Sequence, residues 1–187
     1  MKNIGFAITG SFCTHNKILE VLKDLKKDYN IIPIFSESVL KNDTRFGKAK
    51  DFLISVEKIC ENKTIKTLQE AEPMGPQNLI DLLVIAPCTG NTLAKLSNGI
   101  TDNAVLMTAK SILRNNKPIV VGISTNDGLG ISLKNISALL NSKNYYFIPF
   151  FQDDPKNKPK SLKADFDLIK QTIEDAFLGV QTQPIIK

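Results

Sequence analysis

Short apolar segments alternate with longer amphipathic segments along this chain, and this alternation restricts the fold more than any other feature. The segments 82–86 and 118–123 are almost entirely apolar, which is typical of strands covered on both faces of a sheet. The predicted strands are residues 3–8, 31–35, 82–86, 118–123 and 145–151, and the predicted helices are residues 17–27, 44–60, 89–96, 104–113, 129–140 and 162–177. Strands that alternate with helices predict a three-layer α/β fold, in which helices cover both faces of a parallel sheet.

The length of 187 residues is sufficient for one domain with a sizeable core. The polar segment 152–160 contains two prolines and is the one candidate for a domain boundary. The residues after it are too few to fold alone, so we predict a single domain over residues 1–187, with a tail from about residue 180.

Composition excludes several classes of function. The net charge is +5, but the lysines are dispersed rather than grouped in a basic stripe, so we do not expect a nucleic-acid partner. No apolar run approaches the roughly 20 residues that span a bilayer, and the first residues do not resemble a signal peptide, so we expect a cytoplasmic protein. One histidine and three widely spaced cysteines predict neither a metal site nor a disulfide framework.

Small polar residues follow four of the predicted strands. The segments are Thr9–Ser11 after the first strand, Ser36 after the second, Pro87–Thr92 after the third and Ser124–Asn126 after the fourth. The carboxyl ends of parallel strands meet at one edge of a sheet, which is where α/β proteins bind ligands. Backbone N–H groups at helix N-termini favour anions, so the pattern predicts a phosphate or nucleotide site. At any single loop, helix capping is the favoured explanation of Ser, Thr and Asn, and it is their recurrence after several strands of one sheet that favours phosphate binding.

The motifs that are missing narrow the choice of nucleotide. Neither a G-x-G-x-x-G dinucleotide fingerprint nor a G-x-x-x-x-G-K-[ST] phosphate loop is present, so FMN fits better than NAD or ATP. Gly10 and Gly90 would allow the backbone to approach the ligand closely. The predicted cofactor-binding residues are Thr9, Gly10, Ser11, Ser36, Pro87, Thr89, Gly90, Asn91 and Thr92.

Few side chains are suited to acid–base or nucleophilic chemistry. His15 lies at the N-terminal end of the first predicted helix, where we expect a partly exposed imidazole. Cys88 has no basic partner nearby in sequence, so we expect a packed thiol rather than a nucleophile. Arg45 could bind a substrate carboxylate through two hydrogen bonds, with a surface ion pair as an equal alternative. The pair Asp153–Asp154 predicts a solvated turn rather than a calcium site.

The loops Ile8–Ser11, Ser36 and Ala86–Thr92 resemble the flavin-binding loops of the flavoprotein family. That family includes flavin-dependent cysteine decarboxylases and flavin prenyltransferases, and the resemblance implies a Rossmann-like or flavodoxin-like sheet that binds FMN. The decarboxylases carry a characteristic histidine and a Pro-x-Met-Asn segment. This chain has only His15, and Gly122–Asp127 stands where the second motif would fall, which argues against cysteine decarboxylation.

A closer resemblance, to the B subunits of dipicolinate synthase from spore-forming bacteria, covers nearly the whole chain. It rests on the segments Asp43–Lys48, Ala71–Pro76, Gly122–Asp127 and Phe147–Pro155. The resemblance implies FMN as ligand, self-assembly into trimers or a multiple of them, and a partner A subunit that carries NADP.

The leading hypothesis is therefore an oxidoreductase subunit that acts on dihydrodipicolinate, a small dicarboxylate, in the mother cell during sporulation. Arg45 would bind a substrate carboxylate, and Asn126 would orient substrate or flavin. Two alternatives remain open: a stand-alone FMN-dependent decarboxylase or prenyltransferase-like enzyme, and a non-catalytic subunit that only binds its partner.

Overall fold

The computed structural model describes all 187 residues, and four parallel strands form the centre of its sheet. These strands are β1 (Asn3–Ile8), β2 (Asn30–Phe35), β3 (Leu82–Cys88) and β4 (Ile119–Thr125), arranged in the order β2-β1-β3-β4. All four run in the same direction, so the polar segments that follow them lie at one edge. The prediction that Pro87 ends the third strand is wrong, because β3 continues through it to Cys88.

Three short strands complete the seven-stranded sheet: β5 (Tyr145–Phe147), β6 (Phe150–Phe151) and β7 (Leu162–Ala164). β5 pairs parallel with β4, whereas β7 runs antiparallel to both β4 and β6. The sheet is therefore mixed, which corrects the expectation of a wholly parallel one. The single strand predicted over 145–151 is instead two short strands, β5 and β6. Residues 162–164, predicted to begin the last helix, form β7.

Helices cover both faces of the sheet, which confirms the predicted α/β class. They are α1 (His15–Leu25), α2 (Glu37–Lys41), α3 (Ala49–Cys60), α4 (Leu68–Ala71), α5 (Gly90–Ser97), α6 (Ala104–Leu113), α7 (Ser132–Leu140) and α8 (Ile169–Phe177). The helix predicted over 44–60 begins only at Ala49, because residues 44–47 form a tight turn. None of the helices combines the length and the apolarity that crossing a bilayer requires.

Alternate side chains of the central strands enter two separate cores. Phe6 and Val84 pack in the core beneath α1, α3 and α8, whereas Ala7 and Ile85 pack beneath α4, α6 and α7. This period of two follows from the pleat of a strand, and both faces of the sheet are apolar because both are covered. The two cores fix the strand ends, and with them the loops that carry polar side chains.

The residues after Gly179 pack on the small strands. Gln181 donates to the carbonyl oxygen of Phe147 and accepts from its N–H group, at 2.6 and 2.7 Å. The Thr182 side chain is buried and donates to Asp175 at 2.7 Å. These contacts attach the C-terminal segment to the edge of the sheet.

Candidate functional site

Two neighbouring cavities open at the carboxyl edge of the four parallel strands. The first, called here the hydroxyl cavity, has a volume of about 210 Å³ and is lined mainly by small polar residues that include Thr9, Ser36, Ser38, Thr89, Asn91 and Thr92. The second, called here the cationic cavity, has a volume of about 410 Å³, and its lining includes Gly10, Ser11, Arg45, Asn126, Lys158 and Lys163. Thr89 lines both cavities, so the two are contiguous.

Thr9 joins the ends of β1 and β3 beneath the hydroxyl cavity. Its hydroxyl donates to the carbonyl oxygen of Pro87 at 2.7 Å and accepts from the N–H group of Thr89 at 3.1 Å. Thr9 is only 1% exposed, so its side chain is committed to positioning the neighbouring loop. Pro87 is buried within β3 and lines neither cavity, so its contribution is also to the shape of the loop.

The N-terminus of α5 supplies hydrogen-bond donors to the site. Thr89 caps this helix: its hydroxyl oxygen accepts from the N–H group of Thr92 at 3.3 Å and lies 3.0 Å from the hydroxyl of the same residue. The N–H groups of Gly90 and Asn91 have no hydrogen-bond partner within the chain, and the Asn91 amide is exposed. Thr89 therefore caps the helix, while the N–H groups of Gly90 and Asn91 stay free to donate to a ligand.

Two glycines let the backbone of the rim pack closely against neighbouring hydroxyl side chains. A Cβ atom at Gly10 would lie 2.8 Å from the Ser38 hydroxyl, which is itself 3.0 Å from the Ser36 hydroxyl. A Cβ atom at Gly90 would lie 2.9 Å from the Thr125 hydroxyl. Hydroxyl groups and unpaired N–H groups without a protruding side chain are the donor set that binds a phosphate monoester, so these residues fit a flavin mononucleotide.

The charged side chains at the hydroxyl cavity are paired with one another. Lys95 binds Asp102, and Glu37 binds Lys41 at 3.0 Å. The character of this cavity is therefore set by hydroxyl, amide and N–H groups rather than by unpaired charge.

The cationic cavity brings together the two residues predicted to meet the substrate. Arg45 lies in the turn that precedes α3, where the Thr44 N–H donates to the Gly47 carbonyl oxygen at 3.0 Å. Its guanidinium lies over the Phe46 ring, 4.8 Å from the ring centre, and has no carboxylate partner. The exposed Asn126 amide follows β4 and lines the same cavity.

Sequence reasoning missed two further cations of this cavity, Lys158 and Lys163. Both come from the segment that follows Phe151, far along the chain from the strand ends. The predicted turn at Asp153–Asp154 is confirmed: Asp153 accepts from the Ser161 hydroxyl, and Asp154 accepts from the Asn157 N–H group at 3.1 Å. That segment folds back over the edge of the sheet and carries its lysines to the site.

His15 is buried, which corrects the expectation of a partly exposed imidazole. The ring stacks on Phe52, with 4.2 Å between ring centres, and its Nε2 lies 3.2 Å from the carbonyl oxygen of Thr9. Burial lowers the pKa of His15 despite the opposing effect of this hydrogen bond. The imidazole is therefore neutral at physiological pH and supports the loop after β1 from below.

The cysteines differ sharply in their surroundings. Cys88 is fully buried at the end of β3, which confirms the predicted packed thiol, and burial raises its pKa well above the usual range. Cys60 is also buried, and burial raises its pKa to about 12. Cys13 is exposed and lines the cationic cavity. Neither buried thiol can supply the thiolate that nucleophilic chemistry requires.

Comparison with known proteins decides the family. A model of the flavoprotein family matches residues 1–174. The chain belongs to the flavoprotein family. Among curated members, the B subunit of dipicolinate synthase from Bacillus subtilis (strain 168) is 44% identical over 186 residues, which cover 99% of this chain and 93% of the relative.

Solved structures of flavoproteins agree with this assignment. The crystal structure of the dipicolinate synthase B subunit from Bacillus halodurans superposes with a TM-score of 0.91 at 43% identity, covering 100% of this chain and 96% of the other. The FMN-dependent cysteine decarboxylase SpaF superposes with a TM-score of 0.69 at 18% identity, covering 95% of this chain and 98% of the other. At that identity the second similarity shows the shared flavoprotein fold alone.

Proposed function

We propose that this chain is the FMN-binding B subunit of a dipicolinate synthase. One observation carries the proposal: a cavity lined by hydroxyl and N–H groups adjoins a cavity lined by unpaired cations, at the edge where parallel strands end. The first suits a phosphorylated cofactor and the second suits an anionic substrate. The identity of 44% over nearly the whole length of a B subunit supports the same function.

The hydroxyl cavity would hold the phosphate and ribityl chain of FMN. Asn91 and the free N–H groups at the start of α5 would donate to the ligand, together with Ser36. Gly10 and Ser11, at the border of the two cavities, would let the backbone lie against it. Bound FMN would supply a two-electron carrier beside the substrate.

The cationic cavity would bind dihydrodipicolinate, whose two carboxylates need positive partners. Arg45 is the residue proposed for one carboxylate, and Asn126 the residue that orients the ring. Removal of a hydride and a proton from the dihydropyridine produces the aromatic pyridine of dipicolinate. This chain contributes binding, orientation and a positive field to that step.

The reaction requires a second subunit in this proposal. The accessible rim offers no imidazole, because His15 is buried against Phe52, and Cys13 is its one thiol, because Cys88 is sealed in the core. The scarcity of acid–base groups supports an A-type partner that binds NADP. In this proposal the chain also assembles as a trimer or a multiple of it, in the cytoplasm of the mother cell. It argues against a stand-alone decarboxylase or prenyltransferase.

Two measurements test the proposal. The purified chain is titrated with FMN, and quenching of flavin fluorescence with saturable stoichiometry is expected. Oxidation of dihydrodipicolinate is then assayed with the A-type partner alone, with this chain alone and with both together, and activity is expected only from the pair. A chain that leaves flavin fluorescence unchanged refutes the cofactor assignment, and an A-type partner that is fully active alone refutes the assignment of this chain to the enzyme.

The same assay separates the remaining alternative, a non-catalytic subunit that carries no flavin. That alternative predicts full activity of the mixed subunits after FMN has been removed. Loss of activity on flavin removal, with recovery when FMN is added back, supports the proposed role.

A further inference from the structure

We propose that Lys163 is a specificity-determining residue that binds the second carboxylate of a dicarboxylate substrate, opposite Arg45. This inference rests on the proposed function and extends it to a residue that neither the sequence pattern nor the similarity to known proteins indicates. Lys163 is the one lysine of the cationic cavity that a strand holds in place.

The sheet fixes the position of Lys163. β7 runs antiparallel to β4, and Lys163 stands directly opposite Ser124 in the register. The Ser124 hydroxyl is 2.7 Å from the Ser11 hydroxyl, so this point of the strand borders the loop after β1. The flanking residues Leu162 and Ala164 are buried, and Lys163 between them is partly exposed and lines the cavity together with Leu162.

The ammonium of Lys163 has no ion pair and no hydrogen bond in the structure, although several carboxylates lie close in sequence. Asp153 is bound by the Ser161 hydroxyl, Asp154 by Asn157, and Asp165 by Lys187. The acids around β7 are thus engaged elsewhere, while a half-buried cation is left facing a cavity. The stem of Lys163 is partly buried while its ammonium reaches the solvent of the cavity, so the charge is held at a fixed place where a bound anion would supply its partner.

The charge of the cavity matches a dianion. Arg45, Lys158 and Lys163 line it, and Asp153 is its one carboxylate, which leaves a net charge of +2. Arg45 comes from the turn before α3 and Lys163 from the opposite end of the sheet, so the two cations approach from different elements. A ring with two carboxylates could contact both, whereas a monocarboxylate could satisfy only one.

The volume of about 410 Å³ falls within the range of small-molecule sites. Arg45 and Lys158 are both exposed, but only the Arg45 guanidinium offers the paired donors that bind a carboxylate through two hydrogen bonds, so Lys158 contributes mainly to the field. Lys163 is therefore the cation on which discrimination between one and two carboxylates depends.

The test measures binding of two probes to the full chain loaded with FMN. Calorimetry gives dissociation constants for dipicolinate and for picolinate, which lacks the second carboxylate. The variant Lys163→Met keeps the apolar stem and the strand while removing the charge. Lys160→Met removes the same charge from an exposed neighbour that does not line the cavity, and serves as the matched control.

We expect Lys163→Met to weaken dipicolinate binding by about tenfold or more, the size of a lost hydrogen bond to a charged group. Picolinate affinity should change little, and FMN affinity should equal that of Lys160→Met. Arg45→Met should weaken binding of both probes, because it removes the partner of the carboxylate that they share.

Three results would overturn the inference. Dipicolinate could bind Lys163→Met as tightly as Lys160→Met, or the unaltered chain could bind FMN but no dipicolinate. Alternatively, Lys163→Met could lower FMN affinity instead, which would assign the lysine to the flavin phosphate. In each case FMN titration of the unaltered chain remains an independent readout, so failure of this inference is distinguishable from failure of the proposed function.

Discussion

The hydroxyl cavity and the cationic cavity adjoin at Thr89, yet they are built in different ways. The first lies among the ends of parallel strands, and its side chains are bonded to one another across the rim. The second is closed by a turn and a loop from distant parts of the chain, and its cations are unpaired. A bonded rim of hydroxyl and N–H groups suits the phosphorylated cofactor proposed for it, whereas unpaired cations suit the proposed anionic substrate.

Removal of the Thr9 hydroxyl should have the largest effect, since it would break the bonded rim. Thr9→Val leaves the Pro87 carbonyl oxygen and the Thr89 N–H group without their partner in a buried place. We expect a loss of about 2–4 kcal/mol in the free energy of unfolding, measured by urea denaturation. Thr9→Ser keeps the hydroxyl and should lose less than half as much. Equal losses for the two variants would show that the hydroxyl does not hold the rim.

A charge change at Asn91 tests whether the hydroxyl cavity is the one that binds the cofactor. Asn91→Asp places a carboxylate beside the N-terminus of α5, where the phosphate of FMN is proposed to bind. FMN binding should weaken by about 1–3 kcal/mol, measured by fluorescence titration. Gln171→Glu adds the same charge on the exposed face of α8 and should leave FMN affinity unchanged. If both variants bind FMN equally well, the phosphate lies elsewhere.

The contrast between the cavities also explains how far sequence reasoning could reach. The hydroxyl cavity was accessible to it, because buried strands have a clear apolar pattern and the residues that end them fall on one edge by geometry. Ser36 and Thr89 could be located from the chain alone for this reason. What remained ambiguous was their role, since the same residue types cap helices, and Thr89 does cap α5.

The cationic cavity was only partly accessible. Arg45 stood out because it follows a predicted strand, but β7 is three residues long and carries no period that distinguishes it from the first turn of a helix. Its partner β4 lies about forty residues earlier, and only tertiary pairing reveals that Lys163 reaches the rim. Likewise, His15 has the sequence context of a surface residue, and its burial depends on Phe52 from another helix.

His15 supports the bonded rim from below, and this makes the rim sensitive to pH. Burial lowers the pKa of His15 in the folded state, so the unfolded chain binds a proton more readily. Stability should therefore fall as the pH drops below about 6.5, the ordinary pKa of histidine, and should be fully present above it. Urea midpoints measured from pH 8 to 5.5 test this.

His15→Gln supplies the control, because an amide can still donate to the Thr9 carbonyl oxygen but does not titrate. Its stability should vary less with pH in this range than that of the unaltered chain. Parallel pH profiles for the two proteins would contradict the role assigned to His15.

The smallest expected effect is chemical modification of a thiol without loss of stability. The two thiols to compare are Cys88, near the hydroxyl cavity, and Cys13, in the cationic cavity. Cys88 lies beneath the hydroxyl cavity, fully buried and with a raised pKa, whereas Cys13 is exposed in the cationic cavity. A thiol reagent should therefore modify Cys13 alone in the native chain, as counted by mass spectrometry, and Cys13→Ser should abolish the reaction. Bound dipicolinate should slow the modification if it occupies the cavity, while unfolding should expose all three thiols. Rapid modification of Cys88 in the folded chain would mean that the end of β3 opens, which would contradict the description of the hydroxyl cavity as a firmly bonded rim.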